Sequence, residues 1–270
     1  MRLYSIAIYL FLYVPIFIIV LFSFNAGRHA SELRGLSLQW YGKALANPFV
    51  VDAFVTSLVI ALTVAILSTL MGTAAALALQ RLKGTLRILF DGMIYISIMI
   101  PGIVIGIATL VALVTVFNFL NPILASVWPE GVKPLKLNMG YATVIAAHTL
   151  FTMSLVIILV HARIVGMDRT LIEASTDLYA TPWRTFYQIT LPQIFPAILS
   201  GFLLSFTFSF DDFIISFFVA GANTTLPVYI FSSIRRGITP EVNAIGTMVL
   251  AVSLILLMTA QYLLHARTNR

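Results

Sequence analysis

Cysteine is absent from this 270-residue sequence, and only 10% of its residues are charged. The absence of cysteine excludes disulfide bonds, thiol catalysis and cysteine metal sites. A soluble globular chain carries roughly 25% charged residues, whereas 60% of the residues here are hydrophobic and the mean hydropathy is +1.01. The composition therefore excludes a water-soluble fold and indicates a membrane protein.

Short catalytic motifs are also lacking. There is no G-x-x-x-x-G-K-[ST] phosphate loop, so we do not expect this chain to hydrolyse ATP. An H-E-x-x-H zinc helix and a G-x-S-x-G nucleophile elbow are absent too. We therefore expect no catalytic residue, metal site or cofactor in this chain. The net charge of +6 is scattered between apolar blocks rather than gathered on one basic face, which argues against nucleic acid as a partner.

Long uncharged windows predict an all-α protein with six membrane-spanning helices. A span needs about 20 apolar residues, and a secretory signal over residues 3–24 is disfavoured by the length of that run and by the spans that follow it. Residues 213–234 are also uncharged, but Gly221–Pro227 interrupts them, so we predict a re-entrant or interfacial hairpin there. The predicted spans are 4–24, 53–79, 92–119, 140–160, 193–210 and 243–264.

Orientation is predicted from Lys and Arg in the short loops, which favour the cytoplasmic side. Arg81, Lys83 and Arg87 form a dense cluster beside a predicted span. That cluster predicts a cytoplasmic N-terminus and C-terminus. Because no repeat or low-complexity linker divides the chain, residues 1–270 are predicted to form a single transmembrane domain.

The loop after the fourth predicted span, residues 163–192, is predicted to form two short helices. Thr170 and Glu173 have the spacing of a capping box, which would open the first helix. Thr181-Pro182 predicts the start of the second helix, which Leu191-Pro192 would close. We call residues 163–192 the elbow. Its second helix is predicted to carry Trp183, Phe186, Tyr187 and Thr190 on one face.

The elbow resembles the E-A-A…G…I-x-L-P loop of permease subunits in bacterial ATP-binding-cassette importers, which have the type I architecture with a coupling helix between spans four and five. The resemblance rests on the run from Glu173 to Ala180 and on Ile189-Thr190-Leu191-Pro192. It implies that the elbow contacts an ATPase subunit and transmits its closure, whereas a generic amphipathic loop is the alternative. The residues given this coupling role are Glu173, Ala174, Ser175, Asp177, Leu178, Tyr179, Ala180, Ile189, Leu191 and Pro192.

Two positions of the elbow depart from the family pattern. Ser175 stands in place of the second alanine, which is a change between small residues. Tyr179 stands in place of the glycine. If this residue closes the first helix in the left-handed region, its Cβ costs on the order of 1 kcal/mol. We therefore expect either a different turn or a pocket for the ring on the ATPase.

Beyond the elbow, the chain resembles the spermidine/putrescine branch of these importers along nearly its whole length. The resemblance implies a polyamine or related organic cation as solute, a location in the bacterial inner membrane, and ATP and Mg²⁺ held by the partner rather than by this chain. The implied partners are an ATPase dimer, a second homologous permease, an extracytoplasmic solute-binding protein and membrane lipid. The stretches that carry the resemblance are 23–25, 36–41, 204–213, 225–227 and 236–244.

Two carboxylates, Asp211 and Asp212, end the fifth predicted span. Carboxylates at membrane depth are unfavourable unless they face a cavity or a partner, and adjacent helical residues diverge by about 100°, so we expect one of the two to face the pathway. With the aromatic rings of Phe210 and Phe213, that carboxylate could attract an ammonium group. A structural cap or ion pair is the alternative. His148 is predicted to bond to a neighbouring helix rather than to relay protons.

Alternatives of another class are a stand-alone secondary transporter and a membrane scaffold. A secondary transporter should carry paired ionisable residues at mid-membrane depth, but the charges of this sequence lie at the ends of the predicted spans. A scaffold requires neither kinked spans nor an elbow. An importer permease for another small organic solute remains the nearest alternative.

Overall fold

The computed structural model describes residues 2–27, 32–129, 131–237 and 239–268. Within these ranges the chain is helical, apart from loops and one isolated bridge between Asn25 and Leu36, which confirms the predicted all-α class. The helices are α1 (Arg2–Ser23), α2 (Gln39–Ala46), α3 (Pro48–Leu79), α4 (Gly84–Met99), α5 (Gly102–Val127), α6 (Tyr141–Val165), α7 (Thr170–Asp177), α8 (Pro182–Thr185), α9 (Leu191–Asp211), α10 (Ile214–Val219), α11 (Leu226–Arg236) and α12 (Pro240–Thr268).

Five helical segments are long and apolar enough to cross a membrane, so the chain is a multi-pass membrane protein. In α12, residues Pro240–Ile255 form a further apolar helical stretch. Arg270, on which the prediction of chain orientation partly depends, lies outside the described residues. The five segments are Tyr4–Ser23, Pro48–Leu79, Gly102–Val127, Tyr141–Val165 and Pro182–Asp211.

The third predicted span, 92–119, has different bounds in the structure. The chain breaks between α4 and α5, where Ile100 is extended with ψ 129° and Pro101 follows. Proline has no N–H to continue the helix, and it disfavours the helical region for the residue before it. The spanning helix is therefore α5, and α4 is a separate helix that packs against α6.

The chain divides into two compact units, and the first comprises Met1–Val55 and Leu226–Arg270. In this unit α12 packs against α1, α2 and α11. Asn25 is fully buried after α1, and its side-chain oxygen accepts the N–H groups of Gly27 and Arg34 at 3.0 and 2.9 Å. Trp40 donates its indole N–H to the Asn25 carbonyl at 2.9 Å. These bonds join Asn25 to residues 27, 34 and 40.

The second unit, Thr56–Thr225, is centred on α6. Val156 of α6 lies against Gly72 of α3 and Gly201 of α9. A Cβ built on Gly72 would lie 2.8 Å from the Val156 Cβ, and one on Gly201 would lie 3.2 Å from a Val156 methyl. Small residues let membrane helices approach closely. The two glycines therefore allow α3 and α9 to pack closely against the same residue of α6, Val156.

An arginine links three helices of the second unit. Arg87 of α4 donates to the Leu79 carbonyl at the end of α3 at 2.6 Å and to Asp91 at 2.7 Å. Its guanidinium also lies 3.1 Å from Nε2 of His161 in α6. Asp91 is therefore held in an ion pair on its own helix, one turn from Arg87.

Candidate functional site

The elbow begins with a hydrogen-bonded aspartate. Asp168 accepts the backbone N–H of Thr170 at 2.9 Å and its hydroxyl at 2.8 Å. These bonds, the backbone one first, lower the pKa of the Asp168 carboxyl below its ordinary value of 3.8. The predicted capping box of Thr170 and Glu173 is wrong, because the Thr170 hydroxyl donates to Asp168 and α7 has no side-chain cap at Arg169.

The end of α7 is a Schellman motif that uses tyrosine where glycine is usual. Tyr179 donates its N–H to the Thr176 carbonyl at 2.9 Å, and Ala180 donates to the Ser175 carbonyl at 3.0 Å. Tyr179 has φ 57°, and among the described residues it is the one non-glycine residue with positive φ. A Cβ in this region costs roughly 1 kcal/mol. The left-handed turn considered from the sequence is therefore present.

Two hydroxyl groups join the two halves of the elbow. Ser175, which is buried, lies 2.8 Å from the Thr185 hydroxyl of α8. Thr181 caps α8 by accepting the N–H of Arg184 at 3.4 Å, and Pro182 occupies the first turn, which confirms the predicted start of this helix. The serine that replaces alanine in the family pattern therefore makes a contact that alanine cannot make.

The second elbow helix does not end at Leu191-Pro192, so the predicted stop is wrong. The chain passes from α8 through a π-helical turn, Phe186–Thr190, directly into α9. In this turn Leu191 donates its N–H to the Phe186 carbonyl. Pro192 then lies in the first turn of α9, where the missing N–H of proline is tolerated. The wider π turn thus joins the elbow and the fifth span without a break.

The elbow exposes large apolar side chains beside acidic ones. Leu178 is 82% exposed, Tyr179 96% and Trp183 71%. The ring of Trp183 stacks on that of Tyr187, with centroids 5.9 Å apart. Glu173, Ala174 and Asp177 are exposed on α7, and Ala180 is half-buried.

The base of the elbow is anchored in the second unit. Leu191 packs against the buried cluster that includes Val160, Ile164 and Ile194, and Ile189 is half-buried. Arg163 at the end of α6 donates to the Gln193 carbonyl of α9 at 2.9 Å, so the two ends of the elbow are joined. Pro192 is exposed. The coupling residues predicted from the sequence therefore include an exposed tip, Leu178 and Tyr179, and a base, Ile189 and Leu191, that is partly buried.

A cavity of about 290 Å³ lies in the second unit, where the break between α4 and α5 meets α6 and the end of α9. Asp212 lines it, and Phe151 and Phe208 contribute aromatic rings with centroids 5.8 Å apart. The other lining residues are Ile98, Ile100, Gly102, Ile105, His148, Thr152, Ser209 and Ile215. A carboxylate beside aromatic faces is a chemical fit for an ammonium group.

Asp212 and Asp211 have different surroundings. Asp212 is half-buried, and its Oδ2 accepts the N–H of Ser216 at 3.0 Å and lies 3.2 Å from Nε2 of His148. Asp211 is exposed at the end of α9 and does not line the cavity. The structure therefore separates the two carboxylates as expected for adjacent residues, and it gives Asp212 a capping role as well.

The aromatic neighbours of the cavity differ from those that the sequence suggested. Phe210 is buried and stacks on Phe206 with centroids 5.7 Å apart, and Phe213 contacts Phe217 at 5.4 Å. Neither lines the cavity, whereas Phe151 and Phe208 do. Sequence reasoning missed these two rings because Phe151 is 57 positions from Phe208 and no local pattern connects them.

His148 bonds to a neighbouring helix, as predicted. It is 2% exposed, and its Nδ1 lies 2.8 Å from the Ser209 hydroxyl of α9. Sequence reasoning did not connect it with Asp212. Among the described residues, no group of three or more His, Asp or Glu side chains is placed to hold a metal ion.

Comparisons with known proteins agree with this architecture. The putrescine transport system permease protein PotI of Escherichia coli (strain K12) is 36% identical over 258 residues, which is 94% of this chain and 86% of that protein. The spermidine/putrescine transport system permease protein PotC of Haemophilus influenzae (strain ATCC 51907 / DSM 11121 / KW20 / Rd) is 34% identical, covering 94% of this chain and 92% of that protein.

The fold is also that of a solved importer. The crystal structure of a bacterial ABC transporter that imports the acidic polysaccharide alginate contains a chain that matches with a TM-score of 0.77 and 17% identity, over 97% of this chain and 93% of that one. Residues 68–270 match the model of one protein family, described as the binding-protein-dependent transport system inner membrane component. This chain therefore belongs to the family of inner membrane components of binding-protein-dependent transport systems.

Proposed function

We propose that this chain is a permease subunit of an ATP-driven importer for polyamines, such as putrescine and spermidine, in the inner membrane of a bacterium. The observation that carries the proposal is the similarity over 94% of the chain to permeases named for putrescine and for spermidine/putrescine transport. The carboxylate in an aromatic cavity supports a cationic solute. In this proposal the chain forms part of a solute pathway and carries out no chemical reaction.

The proposed topology has six spans with both termini in the cytoplasm. Five spans are the apolar segments described above, and α12 is the sixth. An even number of spans returns the C-terminus to the side of the N-terminus. Residues 166–181 of the elbow, which lie between the fourth and fifth spans, are then cytoplasmic with the Arg81–Arg87 cluster, in agreement with the preference of Lys and Arg for that side.

The proposed partner of the elbow is the ATPase subunit that supplies the energy of transport and binds ATP and Mg²⁺. The exposed tip offers Leu178 and Tyr179 to a partner, and the base is packed against the spans. A displacement of the tip therefore reaches α6 and α9 through Leu191 and the bond between Arg163 and Gln193. This arrangement is suited to transmit motion from the ATPase subunit to the spanning helices.

The charges of α7 favour a protein partner over a lipid surface. Glu173 and Asp177 lie one turn apart on the exposed side of the helix, beside the apolar tip. The cytoplasmic face of a bacterial membrane is anionic and attracts Lys and Arg rather than carboxylates. An apolar tip flanked by acidic residues is therefore complementary to a pocket with a basic rim.

The cavity at Asp212 is proposed as a binding point for one ammonium group on the solute pathway. Asp212 supplies a negative charge, and Phe151 and Phe208 supply aromatic faces. No Lys or Arg of the described residues lines the cavity, so the carboxylate charge is available to a cation. A second, homologous permease and a solute-binding protein on the outer side complete the proposed importer.

Uptake of labelled putrescine into host cells that lack their own polyamine importers tests this proposal. Cells expressing the complete importer should accumulate putrescine, unlabelled spermidine should compete, and omission of this chain should abolish the uptake. Uptake of another organic solute without any of putrescine would leave the family intact and overturn the proposed substrate. Uptake by cells that express this chain alone would favour a stand-alone transporter.

A further inference from the structure

The environment of His148 indicates a function for this residue beyond packing. It lies on α6, and its ring nitrogens reach side chains from two other parts of the chain. Nδ1 is 2.8 Å from the Ser209 hydroxyl, and Nε2 is 3.2 Å from Oδ2 of Asp212 and 3.3 Å from the Ser216 hydroxyl. Buried polar atoms are generally hydrogen-bonded, and here one of the partners is a carboxylate that lines the cavity.

The orientation of Asp212 is fixed from two directions. The backbone N–H of Ser216 donates to Oδ2 at 3.0 Å, and the imidazole Nε2 approaches the same oxygen at 3.2 Å. Within the described residues the second oxygen, Oδ1, accepts no hydrogen bond. The two donors therefore hold one oxygen and leave the other to the cavity that Asp212 lines.

A hydrogen on Nε2 of His148 is consistent with the hydrogen bonds of this cluster. A neutral ring has one N–H donor and one acceptor nitrogen. With the hydrogen on Nε2, the ring donates towards Asp212 and Nδ1 accepts the hydroxyl hydrogen of Ser209. The ring then orients the carboxylate from one side. Among the described residues, no Lys or Arg lines the cavity.

We infer that His148 is a positioning residue for the transported amine, because it holds Asp212 so that the free carboxylate oxygen can accept an ammonium group in the cavity. This inference rests on the proposed function of Asp212 and adds to it a residue that need not touch the solute. The matched variants His148→Gln and His148→Asn separate positioning from packing. The amide nitrogen of Gln reaches about as far as Nε2, whereas that of Asn reaches only about as far as Nδ1.

The experiment measures ATP-dependent uptake of radiolabelled putrescine by the complete importer in proteoliposomes with its solute-binding protein. The variants are His148→Gln, His148→Asn, Asp212→Asn and the double variant His148→Asn/Asp212→Asn. Assembly on gel filtration and ATP hydrolysis are measured on each sample. Both readouts report the structural integrity of the assembly and do not depend on the contact between His148 and Asp212.

Positioning predicts that His148→Asn lowers uptake by about tenfold, as loss of a hydrogen bond to a charged group would. Putrescine uptake with His148→Gln should stay within about threefold of the wild-type rate. In the Asp212→Asn background, His148→Asn should lower uptake by less than about twofold, because a residue that acts through Asp212 has nothing left to position.

Three results would overturn the inference. If His148→Asn transports well and His148→Gln poorly, the bond to Ser209 is the important one and the role is packing. If His148→Asn lowers uptake equally with and without the Asp212 carboxylate, His148 acts independently of it. In both cases the role of Asp212 stands. If Asp212→Asn transports putrescine at the wild-type rate, the proposed binding point itself is wrong, and the positioning role is wrong with it.

Discussion

The elbow and the Asp212 cavity are built in opposite ways, although both lie in the unit Thr56–Thr225. The elbow turns apolar side chains outward, and hydrogen bonds between residues at most 10 positions apart shape its helices. The cavity turns a carboxylate inward, and bonds that span 61 and 68 positions hold it together. The elbow is suited to contact another protein, and the cavity is suited to receive a charged group from the pathway.

Asp212→Asn should produce the largest effect and tests the cavity half of this comparison. Because Asp212 is the one anion that the described residues place in the cavity lining, we expect its neutralisation to lower putrescine uptake by about tenfold to 100-fold. Asp211→Asn is the matched control. Its putrescine uptake should stay within about threefold of the wild-type rate, because Asp211 does not line the cavity. Equal effects of the two variants would show that the cavity does not distinguish the carboxylates.

Glu173→Lys tests the elbow half. Reversal of this charge beside the apolar tip should reduce uptake by about tenfold while ATP hydrolysis persists, since a charge opposed to a complementary rim weakens docking. Glu32→Lys makes the same change of charge at an exposed position before α2 and should leave coupling intact. The measurement is the number of putrescine molecules taken up per ATP hydrolysed. Normal coupling in Glu173→Lys would count against docking at α7.

Tyr179→Gly sharpens the comparison, because it relieves backbone strain and removes the exposed ring in one step. If the ring serves only the turn, Tyr179→Gly should retain the ATPase subunit as the wild type does, and its free energy of unfolding should be unchanged or about 1 kcal/mol higher. Docking instead predicts that the ATPase subunit dissociates about fivefold more readily, through lost apolar contact. Tyr179→Asn, which also tolerates the left-handed region, should behave like the glycine variant. Retention of the ATPase on the purified permease measures the effect.

Asp168→Ala should have the smallest effect, confined to the start of α7. Loss of the two bonds from Thr170 should accelerate hydrogen exchange of the Thr170 amide a few-fold at neutral pH. Because the pKa of Asp168 is lowered in the folded chain, its contribution is complete above the ordinary value of 3.8 and is lost as the pH falls through the lower, folded value. A difference in exchange that persisted at still lower pH would exclude the ionised carboxylate as its cause.

Local sequence predicted much of the elbow but not all of its geometry. The start of α8 at Thr181-Pro182 follows from residues within one turn of each other. The left-handed turn at Tyr179 was one of two alternatives that the sequence left open. The capping of α7 was assigned to the wrong pair because Asp168 competes with Glu173 for Thr170. The π turn was missed because it arises where α8 must align with α9 across Pro192, and no residue type encodes it.

The cavity could be predicted only in part, because its members are distant in sequence. Hydropathy and the adjacent carboxylates indicated that Asp211 or Asp212 faces a cavity. The choice between them depends on how α9 ends and α10 begins, which tertiary packing decides. The pairing of His148 with Asp212 joins positions 64 residues apart. In the same way, the break at Pro101 moved a span boundary that an uncharged window alone placed at residue 92.

The contact between the elbow and an ATPase can be measured directly because the chain contains no cysteine. A single cysteine at Leu178, which is 82% exposed, can carry a benzophenone label in the assembled importer. Val132→Cys, at an exposed site between α5 and α6, is the control. We expect the label at residue 178 to crosslink to the ATPase subunit and the label at residue 132 not to do so. Absence of the ATPase crosslink from residue 178 in an importer that transports putrescine would contradict the account.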